Sequence, residues 1–107
     1  MARVRQVLEA RVLGESDWIA ASDICALCSI DPEALRELAA LGLVAARETP
    51  SGQWQVRATA LTRLRVVGSL MRDLGVNVSG AALAVELIEA QRELERRIRH
   101  LERLIAD

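Results

Sequence analysis

The sequence contains no lysine, no phenylalanine and no tyrosine, and it has a single histidine among its 107 residues. All fourteen basic residues are therefore arginines, and the only aromatic side chains are Trp18 and Trp54, so aliphatic side chains must build the core. No apolar run approaches the ~20 residues that a membrane-spanning helix needs. The first residues, MARVRQVLEARVLGES, lack the continuous apolar stretch of a secretory signal. We therefore expect a cytoplasmic protein with reduced thiols and no membrane partner.

Motifs for catalysis or cofactor binding are equally scarce. Gly75 and Gly80 border a predicted helix junction and do not follow a strand, so they do not form a phosphate-binding loop. The serines are scattered, and none has a histidine near it in the sequence. The formal net charge of −1 favours neither nucleic acid nor an anionic membrane. We expect one domain with a modest core, no enzymatic activity and no cofactor.

The two cysteines stand at CxxC spacing in the stretch CALC, at Cys25 and Cys28. A tetrahedral zinc site needs four ligands, usually two such pairs, and the lone His100 lies far along the chain. A thioredoxin-like role would place the pair at a helix N-terminus after a strand. Here the pair shares a helix with Ile24 and Leu27, and free cysteine behaves as a small hydrophobe. We predict core packing without a metal site, and redox sensing is the alternative.

The organisation is mainly helical. Ser22 is a good N-cap for a short helix over DICALCS. Asp31, Pro32 and Glu33 then form a strong helix start, with an acceptor at the cap, proline at the first position and acid in the first turn. This second helix, PEALRELAAL, ends before Gly42, a residue suited to a left-handed C-terminal conformation. Two short helices joined by a few residues predict a helix-turn-helix.

A hairpin and a third helix follow. The segments LVAARE and QWQVR flank the turn TPSG, which predicts a small wing. The third helix runs from about Ala58 to Leu74 and ends at Gly75. The side chains expected to face the core on the second and third helices are Leu35, Leu38, Leu41, Leu61, Leu64, Val67, Leu70, Met71 and Leu74. The first 14 residues, with VLEARVL, fit either an edge strand or a helix.

The last helix begins near Ser79 and carries a heptad repeat to the C-terminus. Its a and d positions are Ala84, Leu87, Gln91, Leu94, Ile98, Leu101 and Ile105. So small a domain cannot cover this whole seam, so we predict a homodimer; the alternative is a helix folded back on its own domain. The spacing does not decide between parallel and antiparallel pairing. The predicted fold is a mainly α winged helix-turn-helix over residues 1–78, including an N-terminal extension, joined in one folded unit to a coiled-coil dimerisation helix over residues 79–107.

A winged helix-turn-helix suggests DNA binding, but the second helix argues against it. Asp31, Glu33, Arg36 and Glu37 occupy its start and exposed face, and three carboxylates with one guanidinium sum to −2. A helix in the major groove should offer Arg, Lys, Asn or Gln to base edges and keep acid away from phosphates. Arginines in the wing and third helix could hold phosphate, but they serve equally well as a solubilising face. Specific DNA binding is therefore disfavoured.

The order of elements, with LGLV after the second helix, W-x-V at the end of the wing and DLGVN before the last helix, resembles the MerR superfamily. The chain is most similar to its chaperone-modulator branch, the CbpM-like proteins, over about residues 16–104. The stretch RDLGVNVSGAALAVELIEAQRELERRIRHLE, residues 72–102, carries most of this resemblance, and residues 22–47 resemble the first half of the branch. DNA-binding members carry an arginine–aromatic run in the second helix, where this chain has Leu35-Arg36-Glu37.

The resemblance implies protein binding. CbpM-like proteins bind the J-domain of a CbpA-type, DnaJ-like co-chaperone and restrain its stimulation of Hsp70. Because a J-domain presents a basic helix to Hsp70, an acidic surface could cover it. The candidate partner-binding residues are Asp31, Glu33, Arg36 and Glu37, with Trp54 as apolar anchor. A second candidate cluster comprises Glu15, Asp17 and Asp23, and Trp18 is the alternative apolar anchor. For each tryptophan the alternative is packing at the hinge or in the wing. The alternative function is a MerR-like DNA-binding transcriptional regulator, and MerR relatives suggest antiparallel pairing of the last helix.

Overall fold

A computed structural model describes residues 17–106 and confirms a mainly α winged helix-turn-helix with a long C-terminal helix. The elements in chain order are β1 (Trp18–Ala20), α1 (Ala21–Cys28), α2 (Pro32–Ala40), β2 (Ala46–Glu48), β3 (Trp54–Arg57), a 3-10 turn (Ala58–Ala60), α3 (Leu61–Leu74) and α4 (Val78–Ala106). The two alternatives predicted for VLEARVL lie outside the described residues.

Helices α1 and α2 form the helix-turn-helix. Ser29 closes α1 in the left-handed conformation, with φ of 54°, and its N–H donates to the carbonyl of Cys25. As predicted, α2 begins at Pro32 behind an extended Asp31, but the predicted cap acceptor is not used, since the Asp31 side chain makes no capping hydrogen bond. The prediction that Ser22 caps α1 is wrong: α1 begins at Ala21. The reason is that β1 leads directly into the helix, so the extended residue before it is Ala20.

The wing is part of a three-stranded antiparallel sheet with the order β1-β3-β2. Its turn is held by Thr49, whose N–H donates to the carbonyl of Gln53 at 2.7 Å, while Gln53 N–H donates to Thr49 Oγ1 at 3.0 Å. Gly52 supplies the positive φ of 84° that this turn requires. The third strand, β1, extends the predicted hairpin and ties the start of the described chain to the wing.

The core is aliphatic, as the composition predicts. Its most deeply buried large side chains are Ile24, Leu38, Val56, Leu64 and Val67. Two predicted core positions are wrong, because Leu41 and Leu74 are exposed. Leu41 follows the last residue of α2 and Leu74 is the last residue of α3, so each lies beyond the final turn that packs on the core.

A tight junction connects α3 to α4. Gly75 ends α3 with φ of 68°, and its N–H donates to the carbonyl of Met71 at 3.1 Å. Asn77 Oδ1 accepts a hydrogen bond from Gly80 N–H at 2.8 Å, which satisfies a free donor in the first turn of α4. The helix therefore begins at Val78, one residue before the predicted Ser79. The predicted division of the chain between residues 78 and 79 stays a prediction.

The first half of α4 is fixed to the domain. Ala81, Ala82 and Val85 are buried in the core. Arg63 on α3 forms a two-point ion pair with Glu89, with N–O distances of 2.8 and 2.7 Å, and donates to the carbonyl of Leu43 at 2.6 Å. One guanidinium thus connects α3, α4 and the segment before β2. Beyond Glu89, α4 extends away from the domain and its side chains are mostly exposed. None of the helices in residues 17–106 has the length and apolar content to cross a membrane.

Candidate functional site

The exposed face of α2 carries the predicted charges. Asp31, Glu33, Arg36 and Glu37 are all solvent-exposed, so the formal sum of −2 lies at the surface. Glu33 occupies the first turn of α2, where the helix dipole stabilises a negative charge. We call these four residues the acidic face of α2.

Trp54 lies beside this face. The Cζ atom of Arg36 is 5.6 Å from the centroid of the Trp54 ring, which is a cation–π contact between α2 and the wing. Trp54 is 36% exposed. With Arg36 it lines a shallow cleft of about 250 Å³, together with Ala21, Pro32, Leu35 and Gly52. The structure thus joins two predicted partner-binding residues in one mostly apolar cleft with a guanidinium at its rim.

The second predicted cluster is less accessible. Asp17 and Asp23 are half-buried, and Glu15 lies outside the described residues. Trp18 stacks with two arginines of the sheet: the Cζ of Arg47 is 4.3 Å and that of Arg57 is 5.0 Å from its ring centroid. Trp18 therefore packs within the sheet, unlike Trp54 in its cleft. No sequence pattern predicts the contact between Arg36 and Trp54 or the stacking of arginines on Trp18, because each contact joins residues from separate elements.

The cysteines are structural in character. Cys28 lies in the core, as predicted, while Cys25 is half-buried. Burial raises the pKa of both thiols; the negative charge of Asp31 adds to the rise for Cys25, and Arg65 opposes it for Cys28. A raised pKa keeps a thiol protonated and makes it a weak nucleophile. Within residues 17–106 no three His, Cys, Asp or Glu side chains are grouped to hold a metal ion.

The predicted seam of α4 is an apolar stripe. Its exposed large side chains are between 53 and 85% accessible and comprise Leu83, Leu87, Leu94, Ile98, Leu101, Leu104 and Ile105. Of the other two predicted positions, Ala84 is half-buried and Gln91 is exposed. Leu83 and Leu104 were not in the predicted set, because they flank the seam at the heptad position before a. The stripe is therefore wider than the a and d positions alone.

Comparison with known proteins matches this architecture over nearly the whole chain. The profile of a family described as MerR HTH family regulatory protein matches residues 19–103. Proteins named Chaperone modulatory protein CbpM, from the Dugway, RSA 331 and CbuG_Q212 strains of Coxiella burnetii, are each 24% identical over 99 residues. These alignments cover 92% of this chain and 93% of each relative. The match includes the helix-turn-helix, the wing and most of α4.

Proposed function

The chain belongs to the MerR HTH family of regulatory proteins, and from this premise we propose that it acts as a chaperone modulator. In this proposal it binds the J-domain of a CbpA-type co-chaperone in the cytoplasm and restrains its stimulation of Hsp70, without enzymatic activity of its own. The alignment with proteins named Chaperone modulatory protein CbpM, which covers 92% of this chain, supports this role. The alternative within the family is a DNA-binding transcriptional regulator.

The observation that carries the proposal is the exposed acidic face of α2. A second helix that reads DNA would present Glu33 and Glu37 to the phosphate backbone, where each carboxylate is repelled. A basic helix of a J-domain would instead meet complementary charge. Electrostatic complementarity of this kind raises the association rate and selects the partner. The same side chains therefore disfavour nucleic acid and favour a cationic polypeptide.

Affinity needs an apolar contact beside the charges, and the cleft at Trp54 provides one. Buried tryptophan and arginine side chains dominate the energetics of many protein interfaces. Trp54 and Arg36 are already stacked and partly exposed before a partner arrives. Because their geometry is set within the free chain, less side-chain freedom is lost on binding. We assign Trp54 and Arg36 as the anchor and Asp31, Glu33 and Glu37 as the charged rim.

We further propose that a second copy of the chain covers the stripe of α4. The heptad spacing of its leucines and isoleucines is the pattern of a two-stranded coiled coil. Full burial of one such side chain is worth about 1.5–3 kcal/mol, so a row of them left in water is a strong driving force for pairing.

An antiparallel pairing brings together the exposed apolar residues of the stripe from Leu83 to Leu104. If Gln91 of one copy faces Leu94 of the other, then Leu87 faces Ile98 and Ala84 faces Leu101. The same register places Leu83 against Leu104 on the flank of the seam. This pairing therefore explains why Leu83 and Leu104 are exposed in a single copy, which the a and d positions alone do not explain. On this basis we propose an antiparallel homodimer.

The function is tested in a reconstituted Hsp70 system. The ATPase rate of Hsp70 is measured with a CbpA-type co-chaperone, with and without the protein. We expect the protein to lower the co-chaperone-dependent increase and to leave the basal Hsp70 rate unchanged. An undiminished increase at saturating protein would contradict the proposal. The variant Glu37→Arg serves as a control, because it should inhibit less at equal concentration.

A further inference from the structure

The outer face of the sheet concentrates positive charge around one tryptophan. In the register of the sheet, Trp18 pairs with Arg57 and Arg47 pairs with Gln55. Because side chains alternate along a strand, these four residues share one face, while the intervening Ile19 and Val56 are buried. We call Trp18, Arg47, Gln55 and Arg57 the arginine–tryptophan face.

Arg47 is held in a fixed orientation on this face. Its Cζ lies 4.3 Å from the Trp18 ring centroid, and its Nε donates to Gln55 Oε1 at 2.8 Å. Stacking on a ring and one hydrogen bond fix the plane of the guanidinium, whose remaining N–H groups lie at its edge. Within residues 17–106 the two Nη groups of Arg47 meet no acceptor, and the residue is exposed. Arg57, 5.0 Å from the same ring, adds a second positive charge.

Oriented guanidiniums with an accessible edge bind carboxylates in two-point hydrogen bonds. We propose that the arginine–tryptophan face is a second interaction surface, which binds an acidic segment of a polypeptide. Trp18 fixes the arginines, Arg47 is the main carboxylate ligand, and Arg57 strengthens the local positive potential. This surface differs in sign and position from the acidic face of α2, and it does not depend on the identity of the partner bound there.

The surrounding charges favour a polypeptide over duplex DNA. DNA carries a phosphate charge about every 1.7 Å along its axis, so a DNA-binding surface needs an extended row of cations. Here two arginines surround one ring, and the fourth residue of the face is the neutral Gln55. A short acidic peptide can place a carboxylate on Arg47 within the positive potential that Arg57 strengthens.

The test uses a fluorescently labelled peptide of alternating glutamate and glycine, with binding followed by anisotropy at low salt. We expect Arg47→Glu and Arg47→Gln to weaken binding by at least about tenfold, since each removes the charge that orients the carboxylate. Arg99→Glu, at an exposed arginine of α4, makes the same charge change elsewhere and should leave binding intact. In a Trp54→Phe variant Trp18 is the only indole, and its emission should change as the peptide binds.

Three results would overturn the inference: no peptide binding, equal weakening by Arg99→Glu, or displacement of the peptide by plain duplex DNA whose own binding requires Arg47. The experiment also separates this inference from the proposed function. Binding to a J-domain without binding to the peptide would refute the inference alone. Peptide binding that Arg47→Glu abolishes, without any binding to a J-domain, would support the inference and count against the proposed function.

Discussion

Arg36 lies over the indole ring of Trp54, with its Cζ 5.6 Å from the ring centroid. The pair connects the second helix of the helix-turn-helix to the wing, and it places an aromatic surface beside the acidic face of α2. A cation–π contact at a partly exposed site contributes about 0.5–1 kcal/mol, so the pair stabilises the cleft only modestly. The main consequence of this contact is that the charges of α2 and the apolar ring of Trp54 lie on one surface.

The first prediction concerns this anchor. Replacing Trp54 with alanine should weaken binding to a CbpA-type J-domain by about 2 kcal/mol, roughly thirtyfold in Kd, because the apolar contact is lost. The fold should survive, since the ring is partly exposed and the wing turn is held separately by Thr49 and Gln53. Calorimetry gives the affinity and circular dichroism checks the fold. Trp54→Phe is the matched control and should keep most of the affinity; equal losses in both variants would count against the cleft.

Much of the architecture was predictable from local signals. Pro32 behind Asp31 marks the start of α2, Gly75 marks the end of α3, and the heptad marks α4, because each of these features acts within one or two turns. The strand β1 was not predicted, because three residues carry no periodicity and their pairing with β3 is set by distant parts of the chain.

The candidate site shows the same division between local and distant effects. The charges on α2 follow from spacing along one helix, and their exposure was expected. The contact between Arg36 and Trp54 depends on how the wing folds back on α2, and no sequence pattern reports it. The ion pair between Arg63 and Glu89 is likewise a product of packing between two helices. The exposure of Leu41 was missed because a helical period does not show where packing ends.

The second prediction concerns the charge of α2. Glu37→Arg should slow association with a J-domain by roughly two- to fivefold at low salt, and added salt should reduce the difference. Asp73→Arg is the matched control, because it makes the same charge change near the C-terminal end of another helix. Stopped-flow measurements report the association rate. Equal slowing by both variants would indicate an effect of net charge and contradict a specific role of α2.

The third prediction concerns the proposed dimer. Leu94→Glu should convert the protein to a monomer, because it places a charge in the centre of the apolar seam. Leu41→Glu makes the same substitution at an exposed leucine outside α4 and its apolar stripe, and should leave the assembly unchanged. Sedimentation velocity measures the mass of each variant. A Leu94→Glu protein with the mass of the parent protein would refute the seam.

The fourth prediction concerns the close approach of α3 to α1. A Cβ atom at Gly68 would lie 2.5 Å from the carbonyl oxygen of Cys28, which also accepts a hydrogen bond from Arg72 Nη1 at 3.1 Å. Gly68→Ala should therefore lower the free energy of unfolding by about 1–3 kcal/mol, because the two helices must separate. Ser69→Ala, at the exposed neighbouring position, should have little effect. Thermal denaturation compares the two, and an unchanged Tm in Gly68→Ala would contradict this packing.

The fifth prediction concerns the cysteines. Burial raises the thiol pKa of Cys25 and Cys28 above the pKa that these thiols have in the unfolded chain. The protonated thiols therefore stabilise the fold fully at a pH below the unfolded-state pKa, and this stabilisation is lost as the pH rises through the folded-state pKa. Alkylation by iodoacetamide should therefore be slow at neutral pH, and slower at Cys28 than at Cys25. Mass spectrometry of samples taken at successive times identifies which cysteine is alkylated.

The double variant Cys25→Ala, Cys28→Ala should still bind its partner; loss of binding in a folded double variant would assign the thiols a functional role.

The most direct test of the central claim is a side-by-side binding measurement at low salt, with a CbpA-type J-domain and a plain DNA duplex as the two ligands. The account predicts that the J-domain is retained, that the duplex is not, and that Trp54→Ala and Glu37→Arg weaken retention of the J-domain. Retention of the duplex alone, falling steeply as salt is added, would show that this winged helix-turn-helix reads nucleic acid despite the carboxylates on its second helix.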